Sequence, residues 1–171
     1  MIISTKGFTL IELIVVIVLI SILSAVGIGF FSNTDQYSAR LASDRWLAGL
    51  RLGQRLSLQK QNASDLVQVT ISNGTNDWDL SIDQGSVNLS GFSIEKNQLV
   101  LRSSTSDFTS ACSSLTPATF PLRFYFNGYG SFVSAARAEL TTNLRLCFAG
   151  AQTKELCISP SGYSYEGTCV N

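Results

Sequence analysis

Glu12 is a carboxylate in an otherwise apolar stretch near the start of the chain. From Phe8 to Phe31 almost all the other residues are apolar. Placing a carboxylate in hydrocarbon costs about 2.5–3.5 kcal/mol even on the insertion scales that give the lowest values. A buried charge is tolerable when it is paired and hydrogen-bonded. The position of Glu12 therefore calls for a functional explanation.

The composition argues against an enzyme and against a metalloprotein. The chain has no histidine, and histidine is the commonest general base and the commonest zinc ligand. It also has no Gly-x-Ser-x-Gly motif. The 12 basic residues balance the 12 acidic ones, so no net positive charge points to nucleic acid. We predict a protein without catalytic residues, metal or cofactor.

The cysteines indicate an oxidising compartment. All of them lie in the C-terminal half, in strand-like sequence, and their spacing fits no zinc site. An even number of cysteines in this setting predicts two disulfides, with buried free thiols as the alternative. The cysteines are Cys112, Cys147, Cys157 and Cys169.

Four cysteines allow three pairings, and the sequence alone leaves all three open. The geometry of a β-hairpin slightly favours one of these pairings. If Leu146 and the matching residues of the next strand face the core, Cys147 and Cys157 share the opposite face of a hairpin. The preferred pairing is therefore Cys147–Cys157 together with Cys112–Cys169.

The apolar run is long enough to cross a bilayer. It exceeds the roughly 20 residues that a membrane helix needs, and Lys6 on its N-terminal side predicts a cytoplasmic N-terminus. Gly27 and Gly29 each lower helix propensity by about 1 kcal/mol relative to alanine. We therefore expect the helix to be able to stretch or melt there. A secretory cleavage site near Ala25 is an alternative use of this segment.

The N-terminal residues resemble the type IV prepilin motif. A short leader, MIISTKG, ends at Gly7; Phe8, Glu12 and the long apolar run then follow in register. The resemblance implies that a prepilin peptidase cleaves between Gly7 and Phe8 and that the new amino group of Phe8 is N-methylated. It also implies that this amino group meets Glu12 of a neighbouring subunit in a filament core, so that Glu12 sets the assembly register. An ordinary membrane helix with one acid near its end is the alternative.

Beyond the apolar run the sequence predicts a second helical segment. Asn33 or Thr34 offers N-cap chemistry, and no proline interrupts the chain up to about Gln61. The leucines Leu47, Leu50 and Leu58 share one face of this segment, with Trp46 and Leu56 close by. Because the whole helix would be much longer than a bilayer is thick, its second half must pack on a soluble domain.

From residue 64 onward the apolar residues alternate, which predicts short strands. Asn-Gly at 73–74 and 127–128 predicts hairpin turns, and the Ser/Thr-rich stretch 103–119 predicts a long surface loop. A helix followed by antiparallel strands is an α+β arrangement. The expected segments are a leader (1–7), a transmembrane or filament-core helix (8–31), an amphipathic helix (32–62) and a β-rich head with two disulfides (63–171).

Parts of the head resemble the GspH/FimT branch of minor pilins and pseudopilins. The similar stretches are 45–62, 122–132 and 154–167. The length and cysteines are further similar to a minor pilin of the mannose-sensitive haemagglutinin (MSHA) pilus, the MshC type. With the leader motif, the resemblance implies a type IV pilin fold, a long N-terminal helix packed on an antiparallel sheet.

The resemblance also implies partners and a location. The partners would be other pilins in a helical filament, the prepilin peptidase and an inner-membrane assembly platform. The chain would be a single-pass inner-membrane protein with a periplasmic head, and later part of an extracellular pilus or a periplasmic filament. A type II secretion pseudopilin and a DNA-uptake pilin are the alternatives. Tyr163 and Tyr165 could stack on bases, but Glu166 and the zero net charge argue against DNA.

Overall fold

The computed structural model describes residues 8–31, 34–59 and 66–170, with side chains described for residues 8–24 and from residue 37 onward. Lys6, Gly7 and Asn33 lie outside the described residues. The chain divides into two compact units, Met1–Thr34 and Asp35–Asn171.

In the first unit, helix α1 runs from Leu10 to Phe31. Its backbone is helical through Gly27 and Gly29, so the expected melting at these glycines stays a prediction. The hydroxyl groups of Ser21 and Ser24 donate hydrogen bonds to carbonyl oxygens one turn earlier, at 2.7 and 2.8 Å. Among the described residues, no helix combines the length and the apolar character that a membrane crossing requires.

In the second unit, helix α2 runs from Thr34 to Gln59. Its buried face contains Ala39, Ala42, Trp46 and Leu50, which follow each other at three- and four-residue steps as expected for an amphipathic helix. The prediction that Leu58 shares this face is wrong, because Leu58 is 49% exposed. The buried stripe passes through residue 57, and residue 58 is about 100° further around the helix.

The strands form two antiparallel sheets, as expected for the β-rich head. Sheet A has the order β3-β2-β1-β5-β6, and sheet B has the order β4-β7-β8-β9. A short 3-10 turn, Cys112–Ser114, lies within the long loop between β4 and β5. The strands are Val67–Asn73 (β1), Asp77–Gln84 (β2), Val87–Glu95 (β3), Val100–Ser104 (β4), Leu122–Phe126 (β5), Phe132–Val133 (β6), Leu144–Ala149 (β7), Lys154–Ile158 (β8) and Ser164–Glu166 (β9).

The core joins α2 to both sheets. The fully buried ring of Trp46 lies edge-on to Trp78 of sheet A, with centroids 5.6 Å apart, and to Phe148 of sheet B, with centroids 5.4 Å apart. Aromatic pairs in this geometry contribute beyond the area they bury. The helix packed on antiparallel sheets is an α+β arrangement consistent with the type IV pilin fold, as the sequence predicted.

The structure contains two disulfides, but the preferred pairing was wrong. The bonds are Cys112–Cys147 and Cys157–Cys169, with Cα atoms 5.7 and 5.2 Å apart. Cys147 and Cys157 do share the face of the β7–β8 hairpin that points away from the core. However, the strand register places Cys147 opposite Glu155 and Cys157 opposite Arg145. The two cysteines are therefore diagonal neighbours, and each bonds to a segment that covers this face.

Candidate functional site

The start of α1 presents the residues that the sequence singled out for processing and assembly. Phe8 precedes the helix and is 78% exposed. Glu12 lies in the first helical turn, and its side chain is exposed. Gly7, the expected cleavage partner of Phe8, lies outside the described residues.

Thr9 and Glu12 form a reciprocal cap at this helix end. The N–H and the hydroxyl group of Thr9 donate to Glu12 Oε2 at 3.5 and 3.4 Å, and the N–H of Glu12 donates to Thr9 Oγ1 at 3.4 Å. This is the Ser/Thr-x-x-Glu capping box, which satisfies N–H groups that have no partner within the helix. The pattern is visible in the sequence, but it was not part of the sequence prediction.

The geometry leaves the Glu12 carboxylate available to a cation. Both hydrogen bonds that it accepts are longer than the usual 2.7–3.2 Å range, and the side chain is exposed. A hydrogen bond from an ammonium group to a carboxylate is shorter and stronger than these contacts. The Glu12 carboxylate is therefore accessible and only weakly held by its own helix.

Tyr163 lies just before β9 and Tyr165 lies on it, at an edge of sheet B. Their rings stack on each other with centroids 5.8 Å apart at an interplanar angle of 24°. The guanidinium group of Arg51 lies 5.9 Å from the Tyr163 ring centroid and donates to the Ser164 carbonyl oxygen at 3.1 Å. Both rings thus have partners within the chain.

Next to these tyrosines, Glu166 accepts a hydrogen bond from Lys154 at 2.8 Å. This bond, together with the charges of Lys154 and Arg40, lowers the pKa of Glu166. The carboxylate is therefore ionised and paired at neutral pH. The charges of Lys154 and Glu166 balance each other, so this pair adds no net positive charge beside the tyrosines that would attract a polyanion.

A second cluster lies on the outward face of sheet B and was missed by sequence reasoning. Arg145 is 2% exposed and makes a bidentate ion pair with Glu155, at 2.9 Å from Nη2 to Oε1 and 3.1 Å from Nε to Oε2. Its Nη1 donates to the carbonyl oxygens of Ser110 and Asp107, at 2.9 and 3.4 Å. An arginine that alternates with apolar residues resembles an ordinary exposed strand residue, so the sequence carries no signal for its burial.

This cluster does not suit a metal ion. Ligand-type atoms of Cys112, Cys147 and Glu155 lie within 4.8 Å of one another. The two sulfurs are joined in a disulfide, whereas cysteine binds metals as the free thiolate. The Glu155 carboxylate is already neutralised by Arg145.

The comparison with protein families identifies one motif in this chain. Residues 4–28 match the prokaryotic N-terminal methylation motif. No curated protein and no solved structure matches the chain. The matched segment includes Gly7, Phe8, Glu12 and Gly27, and such a motif points to a structural subunit rather than an enzyme. The chain therefore carries the prokaryotic N-terminal methylation motif, a type IV pilin-like signal typical of prepilin peptidase substrates that assemble into pilus-type filaments.

Proposed function

We propose that this protein is a minor pilin or pseudopilin, a structural or assembly-initiating subunit of a type IV pilus similar to the MSHA pilus. The observation that carries the proposal is the methylation motif at residues 4–28. The α+β head, with two disulfides, supports it because such bonds suit a domain that works outside the cytoplasm. The looser resemblance of the head to the GspH/FimT branch favours an initiating or tip role over the main shaft.

The proposed maturation begins at the leader. Prepilin peptidase hydrolyses the peptide bond between Gly7 and Phe8 and releases residues 1–7. The new amino group of Phe8 is then methylated. Phe8 is 78% exposed and lies just before α1. Helix α1 therefore does not block access of the peptidase to the Phe8 side of the Gly7–Phe8 peptide bond.

Glu12 acts in the assembly step. The ammonium group of Phe8 in one subunit meets the Glu12 carboxylate of its neighbour when the apolar helices bundle. In that environment an unpaired carboxylate is costly, and breaking a buried ion pair by removing one partner costs about 3–5 kcal/mol. Subunits in the wrong register are therefore disfavoured. Before assembly, the apolar run Phe8–Phe31 anchors the chain in the inner membrane with a periplasmic head.

A type II secretion pseudopilin is the second candidate, since the same motif and the same Glu12 chemistry serve a short periplasmic filament. A DNA-uptake role has less support. Tyr163, Tyr165 and Arg51, the groups best suited to bind bases, contact one another, and the net charge is zero. Retention on DNA at low salt would test that role directly.

Intact mass under non-reducing conditions, combined with N-terminal sequencing of protein from its native host, tests the proposal. We expect a chain that starts at Phe8, carries one additional methyl group and lacks four cysteine hydrogens. A chain that starts at Met1 in assembled material would contradict processing. A start just beyond residue 31 would indicate an ordinary secreted protein and would overturn the role of Glu12.

A further inference from the structure

The β7–β8 hairpin carries an ion pair and two cysteines on one face. In the antiparallel register, Arg145 lies opposite Cys157, and Cys147 lies opposite Glu155. All four side chains point away from the core. Leu146 and its partner Leu156, on the opposite face of the hairpin, are buried in the core. The ion pair occupies one diagonal of this square, and the two cysteines occupy the other. Cys147 and Cys157 nevertheless bond to other residues.

The entropy of loop closure favours a bond between Cys147 and Cys157, which the structure does not contain. Cys147 and Cys157 are joined by the short connection between Ala149 and Lys154, whereas Cys112 is 35 residues from Cys147. Loop-closure statistics favour the shorter loop by several-fold. In the unfolded chain, Cys157 is therefore the nearer partner for Cys147. The register of the formed hairpin makes these two cysteines diagonal neighbours, which disfavours their bond. That register does not bring Cys112 to Cys147, so another feature of the fold must do so.

Arg145 has the contacts to do this. Its Nη1 binds the carbonyl oxygens of Asp107 and Ser110, just before Cys112 in the β4–β5 loop. Its Nη2 lies 3.8 Å from Cys112 Sγ. Glu155 holds the guanidinium in this orientation through two hydrogen bonds. The loop segment that contains Cys112 is thus docked on the hairpin next to Cys147.

A second arginine docks the other side of the same segment. Arg102 of β4 lies opposite Cys147 in sheet B, and its guanidinium donates to the carbonyl oxygen of Leu115. Cys112 therefore lies between two arginine-bound segments of the loop. Buried ion pairs are weak evidence for stability. The contacts of Arg145 with the loop instead suggest that the Arg145–Glu155 pair positions the segment that contains Cys112.

We propose that Arg145, oriented by Glu155, is a positioning residue that selects the disulfide partner of Cys147 during oxidative folding. It docks the Cys112 segment so that Cys112 and not Cys157 reaches Cys147. In the reaction, the two thiols of Cys112 and Cys147 are oxidised to one disulfide. Their two electrons and two protons pass to an external disulfide oxidant, which leaves as two thiols. Cys157 then remains available for Cys169.

The experiment is oxidative refolding of the reduced full-length chain in detergent micelles with a glutathione redox buffer. Thiols are quenched with an alkylating agent at successive times, and the disulfides are mapped by mass spectrometry of non-reduced digests. For the wild type we expect Cys112–Cys147 to exceed Cys147–Cys157 at all but the earliest times. For Arg145→Gln we expect the Cys147–Cys157 share at early times to rise at least threefold, with Arg145→Lys in between.

Lys154→Gln is the matched control, because Lys154 lies on the same hairpin and its ion pair is with Glu166 of β9 rather than with the β4–β5 loop. It should reproduce the wild-type distribution. Arg102→Gln should shift the distribution in the same direction as Arg145→Gln. Early quenching reports the partner choice even where a variant fails to reach a stable fold. A wild-type distribution in Arg145→Gln would overturn the proposal, and so would an equal shift in Lys154→Gln.

Discussion

The carboxylate of Glu12 and the backbone N–H of Thr9 are 3.5 Å apart, and the N–H of Glu12 in turn donates to the Thr9 hydroxyl group at 3.4 Å. Glu12 thus has two separable roles. It caps its own helix, and it carries the charge that we propose pairs with a neighbouring subunit. Variants at the two positions can distinguish these roles.

Glu12→Val should still insert in the membrane but should enter filaments poorly, because it removes the carboxylate. Glu12→Asp should be partly tolerated, since the charge remains but its reach is shorter. The measurement is the ratio of filament-bound to membrane-bound protein in sheared and fractionated cells.

Thr9→Ala is the matched control for Glu12→Val. It removes the capping hydroxyl group, at a helix cost of about 0.5–2 kcal/mol, but leaves the carboxylate. It should enter filaments at close to the wild-type level. Normal incorporation of Glu12→Val would contradict the register role, and equal loss in both variants would assign the effect to helix capping.

Leu50 and Leu58 provide a matched pair for the core. Leu50 is fully buried and Leu58 is 49% exposed on the same helix. Leu50→Ala should lower the free energy of unfolding by about 2–5 kcal/mol, because it leaves a cavity. Leu58→Ala should change it by about 0.5 kcal/mol or less. Denaturant titration in detergent micelles, followed by tryptophan fluorescence, measures both values. Similar losses in the two variants would contradict the assigned buried face of α2.

Gly162 is required both by its backbone conformation and by its neighbours. Its φ is +83°, and a Cβ there would clash with the Gly130 carbonyl oxygen and lie 2.9 Å from Gln54 Nε2. Gly85 has φ +59° with nothing within 4 Å of such a Cβ. Gly85→Ala should cost about 1–2 kcal/mol from the left-handed backbone alone, and Gly162→Ala should cost more. Thermal unfolding of the two variants measures the difference, and equal costs would contradict the close approach.

Asp107 should make the β4–β5 loop sensitive to acid. Hydrogen bonds from the Ser110 side chain and from the N–H groups of Ser110 and Thr109, with a smaller effect of Arg145, lower the pKa of Asp107 from its ordinary value of 3.8. The folded state thus favours the ionised carboxylate. This contribution is present above pH 3.8 and is lost as the pH falls through the lower folded-state pKa.

Hydrogen-exchange protection of residues 105–119, compared between pH 6 and pH 2.5, checks this prediction. Wild-type protection should fall in acid relative to the rest of the head. Asp107→Asn removes the titrating group, so its loop protection should change much less with pH. A parallel loss of protection in both proteins would assign the acid sensitivity to another group.

Much of the head could be predicted because its signals are local. The alternation of apolar residues located the strands, and Asn127-Gly128 marked the turn between β5 and β6. The buried face of α2 was predicted only in part, since Trp46 and Leu50 are buried but Leu58 is exposed. A periodic pattern defines a set of candidate faces, and the choice among them depends on which sheet residues the helix meets.

The sequence by itself determined the N-terminal motif, the α+β order of elements and the number of disulfides, because these depend on residue type and on short-range spacing. Only the tertiary structure decided the disulfide pairing and the burial of Arg145. Both depend on the register of β7 against β8 and on the docking of a loop that is distant in sequence. The sequence correctly placed Cys147 and Cys157 on one face. In the register of β7 against β8, however, Cys157 lies two residues away from the position opposite Cys147. The two cysteines are therefore diagonal neighbours, and each bonds to another residue.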